Sequence, residues 1–340
     1  MRILLITDPG ILVPPMGYGG IERIVADLAV EYLHRGYEVD ILTTKGSIID
    51  QCRIFSLGEE GFPPTKKVMY MSILKSWVFL LKNKNQYDLI QNFGRLLYLA
   101  PIINAQTKKI QCYQREISAR NISHVLKFKN RNLAFSGCSR NLIHRVNPKG
   151  NWNAIHNCVV FKKYQLNESV SEDAPLIFLG RIERIKGCHT AIQVANASGK
   201  KLLIAGNISK NSDEKNYFET EIQPYIDGET IQFMGEVNDE QKNELLGQSL
   251  ALVMPIEWEE PFGIVMIEAM ACGTPVIAFS IGSVPEVIDE SITGHIVFNQ
   301  KEMIDAIGNV HLINREKCRA MAVNRFDVSE VAQKYLNIFE

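Results

Sequence analysis

The chain alternates short runs of Leu, Ile and Val with longer stretches in which apolar residues recur every three or four positions. Residues 2–7 (RILLIT) are apolar almost throughout, as in a strand buried on both faces. A loop rich in Pro and Gly follows. Then Ile21, Ile24, Val25, Leu28, Ala29, Tyr32 and Leu33 mark one face of a helix that Gly36 ends. Further strands are predicted at 37–44, 87–92, 108–114, 132–139 and 153–157. Residues 162–175 (KKYQLNESVSEDAP) are polar, acidic and poor in large apolar groups, and read as a linker. The rhythm restarts beyond them, with strands predicted at 175–182, 201–206, 230–237, 249–255 and 275–280 and a closing helix at 328–339. Short strands separated by helices, with few hairpin signals, predict α/β architecture: two doubly wound, parallel-sheet domains in tandem. Such sheets bind ligands outside the carboxyl ends of their strands, and two of them facing each other would form a central cleft.

The length of 340 residues agrees with two domains of ~150 residues each. A net charge of −1 with no basic tract argues against a general grip on nucleic acid. Seven cysteines stand singly, with no CxxC pair, so reduced thiols in a cytoplasmic protein are expected rather than a disulfide framework or a zinc site. The start, MRILLITDPG, reads as a strand and not as a signal peptide. One segment has two readings. Residues 72–84 (SILKSWVFLLKNK) fit a helix packed on the core with lysines at its edge, and also the pattern of a helix lying on a membrane surface. Core packing is the expected outcome, because it is the commoner one.

Three stretches carry candidate chemistry. The loop PPMGYGGIE (14–22) places Gly19 and Gly20 at a helix start, where backbone N–H groups and the helix dipole favour an anion. Its spacing is neither that of a dinucleotide fingerprint nor a Walker A loop, and a tight turn without a ligand explains it as well. In FLGRIERIKG (178–187), Arg181 and Lys186 lie just past a strand end, suited to a diphosphate and to charge building on a leaving group; a solvated loop with ion pairs is the alternative. In EEPFGIVMIEAMACG (259–273), Glu260 lies in a strand's exit loop and Glu268 inside the following helix. Between them the N–H groups of Phe262, Gly263, Ile264 and Val265 open that helix. Glu268 falls one turn after Ile264 and so shares its face. Glu257 and Glu259 form an E-x-E that reads as loop charge, and no D-x-D is present. His156, His189 and His295 read as structural.

These residues also carry a resemblance. YGGIERIVADLAVEYLHRGYEV, HNCVV, FLGRIERIKG, the AG at 205–206, FMGEV and EEPFGIVMIEAMACGTPVIAFSIGSVPEVI together resemble the family-4 retaining glycosyltransferases of the GT-B fold. The resemblance spans nearly the whole chain, and its E-x7-E spacing is its most specific part. It implies an N-terminal acceptor-binding Rossmann-like domain at 1–165, with a C-terminal helix of about 326–340 packing back on it. It implies a nucleotide-sugar-binding domain at 166–325. Arg181 and Lys186 would bind the diphosphate, Glu260 the donor sugar and Glu268 the ribose. Phe262 to Val265 would meet sugar and phosphate through their backbone, Gly206 and Val237 would lie near the nucleotide, and Gly19 and Gly20 would approach the phosphate.

The activity so implied is transfer of a hexosyl group, with retained anomeric configuration, from a UDP- or GDP-sugar (UDP favoured) to a saccharide, lipid-linked glycan or small hydroxyl acceptor. No cofactor and no metal are implied, since the nucleotide sugar is a co-substrate and cations face its phosphates. Partners would be donor and acceptor, without nucleic acid, in a cytoplasmic protein that can sit peripherally at the inner face of the membrane. Where many relatives carry a histidine facing the donor sugar, this chain has Gln114, which hydrogen-bonds a hydroxyl but does not titrate. Tyr18, Asn92, Arg95, Arg115 and Arg120 are the candidates for the acceptor side. Another GT-B enzyme, such as a nucleotide-sugar epimerase, and a non-catalytic sugar-nucleotide-binding module are the competing readings.

Overall fold

In both halves of the chain the apolar runs become parallel strands. The computed structural model describes residues 1–17, 19–128, 132–209 and 211–340. The chain divides into two units, Met1–Cys158 with Val328–Glu340, and Val159–Asp327.

The first unit holds a seven-stranded sheet of β1 (Arg2–Ile6), β2 (Glu38–Thr44), β3 (Arg53–Gly58), β4 (Leu89–Asn92), β5 (Lys108–Tyr113), β6 (Leu133–Gly137) and β7 (Trp152–Ala154). The order is β3-β2-β1-β4-β5-β6-β7 and every pairing is parallel. Central β1 is apolar because both faces are covered; Ile3 to Ile6 have no exposed surface. Asp40 lies in mid-β2, buried, and is neutralised by Arg2 and Arg53 while Tyr87 donates its hydroxyl proton to it, so this carboxylate holds the sheet together. The helices are α1 (Gly20–His34), α2 (Lys66–Asn83), α3 (Ala119–Val125), α4 (Arg140–Val146) and, from the chain's end, α12 (Val328–Leu336). Arg35, at the end of α1, donates to the side chain of Gln333 and to the carbonyl of Ser329, which ties α12 to this unit.

The second unit holds β8 (Leu176–Leu179), β9 (Leu202–Ala205), β10 (Ile231–Gly235), β11 (Ala251–Met254), β12 (Val276–Phe279) and β13 (Gly294–Val297). They form a parallel sheet in the order β10-β9-β8-β11-β12-β13. Its helices are α5 (Cys188–Ser198), α6 (Ser212–Tyr217), α7 (Asp239–Gln248), α8 (Ile264–Ala271), α9 (Val284–Val287), α10 (Gln300–Asn309) and α11 (Arg315–Phe326). The strand order reverses between β1 and β4 in the first sheet and between β8 and β11 in the second. At such switch points the loops diverge and leave a crevice.

Three features differ from the sequence reading. Strands β3 and β13 were not predicted; each lies at a sheet edge, where one side is unpaired and the apolar pattern is diluted by Arg53, Ser56 and His295. The polar run 162–175 belongs to the second unit rather than bridging two. The carbonyls of Tyr164 and Asn167 accept from Arg319 and Arg315, and the crossings fall at 158/159 and 327/328. Finally, α2 packs on the unit but buries only part of its apolar surface. Among its residues only Ser72, Ser76 and Leu80 are buried, while Met71, Leu74, Val78 and Leu81 are exposed.

Candidate active site

In the second unit, the loops leaving β8 and β11 flank the switch point. The β8 loop carries Arg181 and Lys186, the β11 loop Glu260. Gly187, in the left-handed conformation (φ +75°), brings the first loop so close to β11 that an added Cβ would sit 1.9 Å from the Pro255 carbonyl oxygen. That approach lets Lys186 Nζ donate to Glu260 Oε2. Trp258 adds an indole N–H to the same oxygen at 2.9 Å, and the Lys186 ammonium lies 4.9 Å from the Trp258 ring centroid. Arg181 is oriented by Glu183 at 2.5 Å. Two cations, Arg181 and Lys186, each paired with a carboxylate, therefore stand at the carboxyl edge of this sheet.

The loop after Glu260 is fixed from below. Ser283 donates its backbone N–H to the Glu260 carbonyl and its hydroxyl to the Phe262 carbonyl, while Phe262 is buried edge-on against Phe326. Gly263 then begins α8 in the left-handed conformation (φ +76°) and offers no side chain to cap it. Met266 donates its N–H to the Gly263 carbonyl at 3.0 Å, and the N–H groups of Ile264 and Val265 are left for an external acceptor, next to Glu260. Glu268 follows on α8. It is 6% exposed, which removes the reading of a solvated helix acid, and its Oε1 accepts from Tyr164 Oη at 2.9 Å and from Lys242 Nζ. Gly206 (φ +150°) follows β9 and donates to the Gly235 carbonyl at 2.8 Å, beside the loop that carries the half-buried Val237. A Cβ on Gly206 would lie 1.8 Å from the Gly180 carbonyl oxygen, so only glycine allows these loops to meet.

Tyr164, Lys242, Trp258 and Ser283 were not singled out in the sequence. Tyr164 lay in the run read as a linker, and Lys242 reads as one more surface lysine of α7; neither has a local signal. Glu257 pairs with His189 Nε2 at 3.1 Å, and His189 Nδ1 lies 2.9 Å from the Tyr217 hydroxyl, which occupies both as loop supports.

The first unit has its own crevice where β1, β4 and β5 end. Asp8, which sequence reasoning passed over, accepts from the Tyr98 hydroxyl at 2.9 Å and faces Arg95 at 3.8 Å and Arg115 at 3.6 Å. A cavity of about 680 Å³ opens here; Asp8, Arg95, Gln114 and Arg115 line it together with Met69, Tyr70, Leu97 and Val125. Gln114 Oε1 is buried there and has no hydrogen-bond partner among the described residues. Asn92 is fully buried, donating to Gln111 Oε1 and the Arg95 carbonyl and accepting from Gly94 N–H, so its amide shapes the turn that presents Arg95. Arg120 is exposed on α3 and is not part of the cavity wall. Gly19 (φ +152°) packs against Pro15, and Gly20 opens α1. In the first turn of α1 burial pushes the Glu22 carboxyl above its ordinary range, with Arg115 opposing. Tyr18 lies outside the described residues.

Residues 162–325, nearly the whole of the second unit, match the family model described as Glycosyl transferases group 1. Solved structures that share both sheets have the GT-B fold of glycosyltransferases, and this chain has that fold. One of them is the Anabaena protein HepE in complex with UDP and glucose, which superposes with a TM-score of 0.73 at 17% identity over 98% of its chain and 99% of this one. In sequence, the chain is 27% identical over 276 residues to an uncharacterised 41.2 kDa protein in the cps region of Klebsiella pneumoniae, covering 78% of this chain and 74% of that protein. It is 33% identical over 119 residues to a phosphatidyl-myo-inositol mannosyltransferase of Propionibacterium freudenreichii, a match that spans 33% of this chain and 31% of the relative.

Proposed function

We propose that this protein is a retaining glycosyltransferase of the family-4 type. It moves a hexosyl group from a UDP- or GDP-sugar, UDP favoured, to a saccharide, lipid-linked glycan or small hydroxyl acceptor, without a metal ion. The observation that carries this reading is the contact of Lys186 with Glu260 across the switch point of the second sheet, beside the uncapped start of α8. UDP and glucose bound to HepE, and the mannosyltransferase relative, support a nucleoside-diphosphate hexose as donor.

In this reading the diphosphate takes Arg181, Lys186 and the α8 N–H groups, which compensate its charge and make a divalent ion redundant. Lys186 turns from Glu260 to the phosphate, which frees Glu260 Oε2 to accept from the donor sugar's hydroxyls. Glu268 Oε2, left open by the bonds at Oε1, accepts from the ribose. As the anomeric carbon–oxygen bond to phosphate breaks, Arg181 and Lys186 stabilise the departing diphosphate. The acceptor oxygen attacks the same face of the oxocarbenium-like sugar and forms the new bond. Its proton passes to the leaving phosphate oxygen, so configuration is kept and charge balances. Gln114, with its unpartnered Oε1, accepts a sugar hydroxyl, and Asp8, Arg95 and Arg115 orient the acceptor in the first unit's cavity.

A thermal-shift series with UDP, GDP, TDP and ADP and their sugars tests this reading. A cognate nucleotide at about 100 times its Kd stabilises the protein by ~2.7 kcal/mol. A specific rise with one base supports the assignment, and no rise with any of them overturns it.

A further inference from the structure

Helix α2 turns Ser72, Ser76 and Leu80 inward and keeps a second apolar face outward. Its inward side is held by Ser72, whose hydroxyl lies 3.1 Å from that of Tyr98, by Trp77, whose indole N–H donates to the Leu97 carbonyl at 2.8 Å, and by Phe79, 4.6 Å from the Phe55 ring. Its outward side carries Met71, Leu74, Val78 and Leu81, spaced by three and four residues so that they form one stripe. These four are 46%, 53%, 55% and 53% exposed, with Tyr70 beside them at 70%. A soluble surface does not need such a stripe, because isolated apolar residues are normal and contiguous ones are not.

The charge around the stripe is one-sided. Residues 66–84 contain five lysines and no acid. Lys66, Lys67, Lys75 and Lys82 are exposed and form no ion pair among the described residues. Lys75 and Lys82 rise on one flank of the stripe and Lys66 on the other, by the 100° advance per residue of a helix. No helix of the described residues is long and apolar enough to cross a membrane. An apolar stripe rimmed by lysines on a helix anchored to a folded unit has the form of a segment that lies in a bilayer interface and meets anionic headgroups.

We infer that the outward face of α2 docks on an anionic lipid bilayer, with Leu74, Val78 and Leu81 inserted below the headgroups and Lys67, Lys75 and Lys82 against their phosphates. The inference does not depend on the proposed transfer reaction. It does connect to it: Lys66, Met69, Tyr70 and Ile73 of the same helix line the first unit's cavity, so docking places that cavity beside the lipid surface.

The test is sedimentation of the full chain with phosphatidylcholine vesicles, with or without about one third phosphatidylglycerol. The protein is expected to bind the anionic vesicles and to be released as salt rises from about 0.05 to about 0.5 M. Leu74→Ser/Val78→Ser/Leu81→Ser is expected to weaken binding at least about tenfold while leaving the thermal midpoint and donor binding unchanged. Should that variant fail to fold, Lys67→Glu/Lys75→Glu/Lys82→Glu, confined to exposed charges, is expected to abolish binding to the anionic vesicles. No binding to either vesicle, or wild-type binding by these variants, overturns the inference. So does a concentration-dependent dimer that the serine variant converts to monomer, because a second copy would then cover the face.

Discussion

Replacing Lys186 with Met isolates the electrostatic part of the proposed site, because Met keeps most of the aliphatic stem and deletes the ammonium. Two separate effects follow from the surroundings. In the free protein, the Lys186 and Glu260 side chains are 19% and 12% exposed, and Glu260 Oε2 retains the Trp258 N–H at 2.9 Å. The carboxylate is therefore partly satisfied and partly solvated, so the loss is smaller than for a fully buried pair, about 1–2 kcal/mol of stability. In the proposed transition state, Lys186 faces charge that exists only as the diphosphate departs. Removing one such preorganised donor costs roughly 10²–10³ in kcat, or ~2.7–4 kcal/mol. The assay is nucleotide release under saturating donor, with chemical denaturation to measure folding. Lys186→Met/Glu260→Gln should recover most of the lost stability and none of the lost rate, which separates the two effects. A folded Lys186→Met variant whose kcat stays within about threefold of wild type would refute the reasoning.

Three further outcomes follow from other parts of the structure. On the proposed reading, Glu268→Gln removes a charged hydrogen-bond acceptor for the ribose and should raise the donor KM roughly 10–100-fold with a smaller effect on kcat, measured by steady-state kinetics. Glu22→Gln should raise the thermal midpoint at neutral pH. The folded carboxyl's pKa lies above its ordinary 4.5 because it is buried, so its contribution favours folding in acid and is lost as pH rises through the folded pKa; the gain over wild type should vanish below pH 4.5. Gly206→Ala forces a Cβ to within 1.8 Å of the Gly180 carbonyl oxygen at φ +150° and should destabilise the protein by about 2–4 kcal/mol in urea denaturation.

The parts of this molecule that were legible in the sequence are those whose cause is local. Central strands such as β1 and β11 must be apolar on both faces, and their runs announce them. Gly36 and Gly273 end helices because few other residues adopt the left-handed conformation, and both have positive φ here. The candidate donor residues were legible for the same reason: Arg181, Lys186, Glu260 and Glu268 follow strand ends and a glycine turn at fixed spacing. What was not legible depends on distant partners. Edge strands β3 and β13 have one side unpaired, so no continuous apolar run marks them. Asp8 acquires its surroundings from β4 and β5, and Lys242 reaches Glu268 across 26 positions of sequence. Helix α2 shows the opposite failure. Its apolar spacing was correctly seen as helical, but spacing alone does not say which side faces the core: Leu80 turned inward with Ser72 and Ser76, while Leu74 and Leu81 stayed outside.

The central claim is transfer of a hexosyl group from a nucleoside diphosphate with retention, and donor hydrolysis followed by proton NMR tests it most directly, since water replaces the unidentified acceptor. With UDP-glucose, or the donor picked out by thermal shift, the account predicts release of the nucleoside diphosphate and first appearance of the sugar's α-anomer, at a rate that falls roughly 10²–10³-fold in Lys186→Met. First appearance of the β-anomer would contradict retention. Nucleotide release equal in wild type and Lys186→Met, or absent from both, would contradict the site itself.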